Sequence, residues 1–504
     1  MTEPGYSDYL IVGGGTCGSV LAARLSEDPD ASVRLLEAGP GYTSPADLPA
    51  ALADPYRLPV GPGSDYTVVH PVDLMPGRAG VISRGRVLGG SGAVNGAYFA
   101  RSTPGDFERW PASWSYDEVL PYFRRSETDH DFGGEFHGDR GPVQVRRRDW
   151  DRLRPFSSAF RDAALSAGFA DDPDKNAPGS TGVGRVPLNI LDDRRISTAV
   201  GYLLPVIGRA NLRIDCGVRV VRIVFSGTRA VGVDAVIGGT LQRVFGRHVV
   251  VSAGAIASPH LLMNSGIGRA EDLAVHGIEV VADLPGVGSG FSDHPEISVP
   301  YRFSAPQGRD AKTPVLETIL NDGGIEFRPY TAAFSEMIDG LPPMDHTLGI
   351  VLMSPSSRGS IRLAPHDPTD SPLVHYNYLG EARDRRDVRD GLQVAGELLE
   401  MVAATGLVER PSIEYTDAWI ESKLGTSLHL SGSCAMGEDP DSGAVVHPAT
   451  CGVYGTTGLS VVDTSIFPQV PSRGPHATAV MVAERAAALL RGDENSSAGA
   501  TTAM

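Results

Sequence analysis

The chain has 504 residues, of which 41% are hydrophobic and 21% charged; this is enough apolar material for two or three structural units rather than one small domain. Its formal net charge of −17, with no long Lys/Arg block to offset it, repels a phosphate backbone and argues against nucleic acid as a partner. Cys17, Cys216, Cys434 and Cys451 share no CxxC spacing, which argues against a zinc site or a disulfide framework and for a reducing compartment.

In chain order, Tyr9-Leu10-Ile11-Val12 comes first, a short apolar run suited to a buried parallel strand. So few residues precede it that no signal peptide is expected, and no apolar stretch approaches the ~20 residues of a membrane helix. A soluble, cytoplasmic protein is expected, with peripheral docking to a membrane complex left open. The strand runs into Gly13-Gly14-Gly15-Thr16-Cys17-Gly18, a G-x-G-x-x-G turn. Ser19 to Leu25 reads as a helix, and Val33, Leu35 and Leu36 as the next strand, ending at Glu37. In such a unit Gly13 permits the tight turn, Gly15 lets the backbone approach a pyrophosphate and Gly18 lets the helix pack on the sheet. The anion rests on the helix N-terminus, and Glu37, about 20 residues on, accepts hydrogen bonds from ribose hydroxyls. The unit predicts a dinucleotide site without separating FAD from NAD.

Arg84 to Phe99 carries a second glycine-rich loop around Gly89 and Gly90. Its N–H groups can form an anion-binding nest beside Arg86 and Asn95; a structural turn is the alternative. Ser115-Tyr116-Asp117-Glu118 has the spacing of a capping box, followed by a helix from Val119 to Arg125. Arg146, Arg147 and Arg148, close to Asp149 and Asp151, read as a solvated surface turn. Segments near 295 to 380 alternate apolar and polar residues, as in Ser360-Ile361-Arg362-Leu363, and suggest an antiparallel sheet. Arg383 to Ala404 reads as a helix or helix pair, Ala477 to Leu490 as an apolar helix, and Asp493 to Met504 as a disordered tail.

Several segments together carry a specific resemblance. Arg84-Gly85-Arg86-Val87-Leu88-Gly89-Gly90-Ser91-Gly92-Ala93-Val94-Asn95-Gly96-Ala97-Tyr98-Phe99 resembles the first signature of the glucose-methanol-choline (GMC) flavoprotein oxidoreductases, and the stretch from Gly254 to Gly268 resembles the second. Pro285-Gly286-Val287-Gly288, Asp293-His294, Ser354 to Gly359, Val461-Val462-Asp463 and Glu484-Arg485-Ala486-Ala487 also match that family in order. The resemblance implies an α/β (α+β) fold: a Rossmann-like FAD-binding domain built from 1–150, 180–290 and 440–492, and a substrate-binding domain with an antiparallel sheet built from 151–179 and 291–439. The tail is 493–504.

The resemblance also implies FAD rather than NAD, contacted by Gly13, Gly15, Gly18, Glu37, Arg86, Gly89, Gly90, Asn95, Val220, Asp463, Pro475 and His476. Val220, in a predicted strand from Arg219 to Phe225, reads equally as a core valine. Some relatives carry at position 94 a histidine bonded to the flavin; Val94 cannot form that bond, so the FAD is expected to be noncovalent. No metal is expected. Hydride loss from an alcohol needs a base for the hydroxyl proton, and histidine suits it with an unperturbed pKa of about 6.5. His429, in His429-Leu430-Ser431-Gly432-Ser433-Cys434-Ala435-Met436-Gly437, resembles the family's active-site histidine. The family's second His or Asn aligns with Gly474, a departure; His476 either takes over that catalytic role or only contacts the flavin. Arg473 is a candidate to hold an anionic or polyhydroxylated substrate.

Arg473-Gly474-Pro475-His476, Glu326-Phe327-Arg328-Pro329-Tyr330 and Ala199-Val200-Gly201-Tyr202 look most like the branch associated with the mycofactocin system. That branch implies oxidation of reduced mycofactocin, with electrons passed to a respiratory acceptor. The alternatives are a dehydrogenase or oxidase of a small alcohol, sugar or choline-like molecule, and a flavin-binding redox partner without catalysis. His429 argues against the last, since a binding module needs no base beside a flavin.

Overall fold

The computed structural model describes residues 6–492 apart from 309, 366, 368 and 369; the predicted tail lies outside the described residues. Strand β1 (Tyr6–Val12), helix α1 (Thr16–Leu25) and strand β2 (Val33–Glu37) form the N-terminal unit. β1 lies inside a seven-stranded sheet. In space the order is Leu212–Cys216, β2, β1, Thr240–Val251, Arg229–Ile237 and Val218–Ser226, with Leu459–Val461 added alongside Thr240–Val251. The β1, β2, Leu212–Cys216 and Leu459–Val461 pairings are parallel, whereas the last two strands in the order return antiparallel. Leu10, Ile11, Leu35, Val249, Val250 and Val251 are wholly buried, as continuous apolar runs require when helices cover both faces of a parallel sheet. Helix His476–Arg491 lies against α1. Glu484, on that helix, pairs with Arg24 at 2.7 Å and accepts the Tyr202 hydroxyl at 2.7 Å.

A second sheet is wholly antiparallel, in the order Leu424–Thr426, Pro295–Tyr301, His346–Leu352, Ile325–Pro329, Thr318–Asp322, Gly182–Arg185. Helix Ala382–Ala404 packs on it through the close approach of Gly391 to Ile325 and Ile350. Gly182–Arg185, a strand taken from the nucleotide-side segment 180–290, is the edge of this sheet. The alternating Ser360–Leu363 stretch is not part of it. Gly359–Arg362 pairs instead with Leu373–His375 in a five-stranded sheet that also contains the hairpin Thr67–Met75 and Arg78–Gly85. Period-two alternation specifies a half-buried strand but not its sheet.

Two local expectations are corrected. The helix after Ser115 spans Tyr116–Ser126, and Ser115 is its N-cap residue, yet its side chain makes no capping bond. A 3₁₀ turn, Ala112–Trp114, leads straight into the helix, and the carboxylates of Asp117 and Glu118 in the first turn face the helix dipole instead. The Arg146–Arg148 triplet is not a uniformly solvated turn, because Arg147 is buried. It follows strand Val143–Val145, which turns it inward, and it pairs at 2.9 Å with both Asp129 and Asp174. Both partners are distant in sequence, out of reach of any local charge pattern. Glu127, Asp129 and His137 are close enough to ligate an ion, but Arg101 pairs with Glu127 and Arg147 with Asp129. Burial alone would lower the His137 pKa; hydrogen bonds to Asp129, Asp174 and Glu127 raise it to about 10. No helix among the described residues is long and apolar enough to cross a membrane.

Candidate functional site

The glycine turn closes tightly. Gly13 has φ +100°, and a Cβ on Gly18 would overlap the Gly13 carbonyl oxygen, so α1 rests directly on the turn. Gly15, the N-cap of α1, is open: the nearest atom to a Cβ there would be Gly90 Cα, at 3.7 Å. With no side-chain cap on α1, its first-turn N–H groups remain available to an anion. Glu37, at the end of β2, accepts the N–H of Gly14 through Oε2 and of Gly39 through Oε1, each at 2.7 Å. Burial raises its pKa against the pull of those N–H groups and of Arg86. A carboxylate has about four acceptor positions, so it keeps capacity for a hydroxyl beyond these backbone N–H groups.

The second loop presses on the first, backbone to backbone. Gly89 N–H donates to the Gly14 carbonyl at 2.8 Å, and a Cβ on Gly90 would fall 2.7 Å from Gly15 Cα. Arg86 is exposed. Asn95 commits its side-chain oxygen to Ala97 N–H at 3.0 Å. Val220 is half-buried in a strand that touches β2. The Asp463 carboxylate accepts Gly254 N–H and Ser465 N–H, each at 2.8 Å, and the Ser258 hydroxyl. It therefore ties the start of helix Gly254–Asn264 to the turn Thr464–Ile466. Pro475 is the N-cap of helix His476–Arg491.

The structure separates the two histidines. His476 packs edge-on against Phe99 and beside Gly92, where a Cβ would fall 2.5 Å from its Cε1. Its Nε2 is buried without a partner, and burial lowers its pKa to about 4. It belongs with the glycine loops. His429 meets Gly474 instead: a Cβ at 474 would lie 3.6 Å from its Cε1. His429 Nδ1 is 2.8 Å from His294 Nδ1. Burial, then His294, Arg328 and Arg84, hold the His429 pKa well below its ordinary value, so the ring is neutral. Leu428, immediately before it, has φ +63°, a strained conformation of the kind kept where a side chain must be aimed.

The space beside Gly474 holds Tyr98. A Cβ at 474 would fall 2.9 and 3.0 Å from Cδ1 and Cε1 of its ring, and Ala97 before it has φ +59°. The Tyr98 hydroxyl donates to Glu326 at 2.9 Å. Glu326 also accepts from Asn321 and from Arg328 at 2.6 Å, and Arg328 pairs with Glu296, which takes the Tyr330 hydroxyl at 2.8 Å. Burial alone would raise the Glu326 pKa, but Arg328 and Arg473 hold it low. Arg473 is buried, with two N–H groups on the carbonyls of Ser472 and Ser180 and Nε unpartnered. Tyr98 and His294 lie in the matched family motifs without an expected role in the site, and Glu296 is passed over altogether. Glu326 and Arg328 share one face of strand Ile325–Pro329 at i and i+2, with Tyr330 just past its end, and that charged pair inside a buried strand is the signal that finds the network.

An open glycine cradle, a carboxylate at the tip of β2 and an unpartnered buried His476 Nε2 fit the adenosine, pyrophosphate and ring system of FAD. The GMC oxidoreductase family models match residues 7–296 and 355–483. An uncharacterised GMC-type oxidoreductase of Rhodococcus erythropolis is 61% identical over 98% of this chain and 100% of its own length. An oxygen-dependent choline dehydrogenase of Staphylococcus xylosus is 33% identical over 96% of this chain and 95% of its own. Among solved structures, pyridoxine 4-oxidase from "Mesorbium loti" has a TM-score of 0.86 at 30% identity, covering 96% of this chain and 99% of that one. Formate oxidase of Aspergillus oryzae, at 23% identity and a TM-score of 0.85, covers 98% of this chain and 100% of that one and shares the fold. With its glycine cradle and buried histidines set in this fold, the chain belongs to the GMC oxidoreductase family, as an FAD-dependent enzyme acting on alcohol-type donors.

Proposed function

We propose that His429 is the general base that takes the donor's hydroxyl proton while the adjoining C–H bond is broken. Bound FAD supplies the acceptor for the electron pair of that bond. His429, neutral and partly exposed, takes the proton, and the donor carbon leaves as a carbonyl. His476 lines the flavin side through Gly92 and Phe99 and carries no proton in the reaction, consistent with its burial and low pKa. The single observation behind this reading is the position of His429 beside Gly474, close to Arg328, whose charge is paired with Glu296 and Glu326. FAD is held noncovalently by the cradle of Gly13, Gly15, Gly18, Glu37, Gly89, Gly90 and Pro475. Arg86, Asn95, Val220 and Asp463 complete it from its margins.

For the donor we propose reduced mycofactocin, with electrons passed to a respiratory acceptor from a cytoplasmic protein docked at the membrane edge. The support is that two segments resembling that branch, 326–330 and 473–476, are distant in sequence yet converge on His429. Arg473 stands at that convergence as the residue to engage a polyhydroxylated or anionic donor. A quaternary ammonium donor is disfavoured, because Arg328 already pairs with both Glu296 and Glu326. Anaerobic mixing of the yellow protein with reduced mycofactocin, choline and pyridoxine, following flavin absorbance, tests the donor. Bleaching by choline and not by mycofactocin overturns the donor assignment. His429→Ala should keep flavin and fold but slow flavin reduction by roughly 10²- to 10⁴-fold; an unchanged rate removes His429 from the mechanism.

A further inference from the structure

Resting on the assignment of His429 as base, we propose that His294 is the positioning residue that determines which nitrogen of His429 is free to take a proton. The two rings meet edge to face at 90°, with their Nδ1 atoms 2.8 Å apart. A hydrogen bond between two neutral imidazole nitrogens contains one proton, so the pair has two states. In one, His294 donates, and the proton of His429 sits on Nε2, where that atom can only donate. In the other, His429 donates from Nδ1 and its Nε2 keeps the lone pair a base needs.

The far side of His294 decides between them. Its Nε2 is buried and no described group completes a hydrogen bond to it. The backbone acceptors that bear on the ring are the carbonyls of Pro471 and Met353; with Nδ1 turned to His429, the nitrogen left to them is Nε2. A proton there leaves His294 Nδ1 bare, and His429 must then be the donor. Both rings are neutral, since burial, followed by Arg328, brings His294 down to about 3 and burial holds His429 low as well. The charged groups around the pair are Arg328 and Glu326 on the antiparallel sheet, Arg84 on the hairpin, and Asp293 on the backbone of both residues. One oxygen of Asp293 accepts the backbone N–H of both His294 and His429 at 2.7 Å, so the two residues share one frame. When the donor's O–H bond breaks and an N–H bond forms at His429 Nε2, the Nδ1–H of the new imidazolium already points at an acceptor, and nothing must reorient.

The test is ¹⁵N NMR of the flavin-loaded enzyme labelled at histidine, with assignments from His429→Gln and His294→Asn. The expected resting state is His429 protonated at Nδ1 and bare at Nε2, with His294 the reverse. The opposite pattern overturns the proposal. Asparagine at 294 places its amide oxygen where Nδ1 now stands, whereas leucine offers no acceptor. His294→Asn should keep the flavin-reduction rate within about 3-fold, and His294→Leu should lose roughly 10²-fold or more as His429 moves its proton to Nε2. Equal losses in both variants, or none in the leucine variant, also overturn it. If His429→Ala is silent, the base assignment falls and this role with it; if His429→Ala is slow while the resting tautomers are reversed, only the role of His294 falls.

Discussion

Gly474→Ala is the sharpest test of how the wall beside His429 is packed. The backbone at 474 is outside the left-handed region, so alanine meets no conformational strain. Its methyl would sit 2.9 and 3.0 Å from two ring carbons of Tyr98, while carbon contacts settle at about 3.5–4.0 Å. The ring would have to retreat by roughly 0.5–1 Å. It is held in place by the 2.9 Å hydrogen bond to Glu326 and by the Arg328 guanidinium 5.9 Å from its centroid. Overpacking of this kind costs about 1–3 kcal/mol, and the lower chain entropy of alanine offsets about 0.4–1 kcal/mol of it. The expected outcome is a net destabilisation of about 1–2 kcal/mol, read from denaturant midpoints at constant slope. In a Tyr98→Ala background the same substitution should cost nothing, giving a coupling of about 1 kcal/mol or more. A Gly474→Ala enzyme as stable as the parent, or equally destabilised in both backgrounds, refutes the packing argument.

Gly15→Ala separates fold from cofactor: among the described residues beyond its chain neighbours, the nearest atom to the new methyl is Gly90 Cα at 3.7 Å, so the apoprotein should melt like the parent, while flavin content after purification falls. An apoprotein that melts early would place Gly15 in the packing rather than in the cradle. Stability should also depend on pH through His137. Its folded pKa of about 10 stands above the ordinary 6.5, so its contribution is complete below about pH 6.5 and is lost as pH rises toward 10. Unfolding free energy should fall over that window by on the order of 3 kcal/mol more than in His137→Gln. Parallel stability curves for the two proteins would remove the protonated ring from the account.

The N-terminal unit is legible because its information is local: apolar run, glycine spacing and carboxylate all lie within one strand-turn-helix-strand stretch, and backbone sterics leave few ways to build it. The same holds for Ala382–Ala404, which has the length and periodicity of one helix. The buried cluster around Arg147 is illegible for the opposite reason, since Asp129 and Asp174 reach it only through tertiary folding. His429 is marked by its motif, but its partner His294 is recognisable as such only when two loops are brought to 2.8 Å. Gly474 looks like a loss in the sequence, a side chain missing from its usual place. In the structure Tyr98, carried on the flavin-side loop, fills that space.

Helix His476–Arg491 has a consequence for biosynthesis. It brings His476 to the glycine loops and ties back to α1 through Glu484 and Arg24, and the strand Leu459–Val461 just before it joins the same sheet as β1. A nascent chain therefore displays its phosphate-binding turn long before the segment that encloses it has left the ribosome. Flavin retention should accordingly wait on this helix, and a chain truncated shortly before it should make the first motif of the family without retaining the yellow colour.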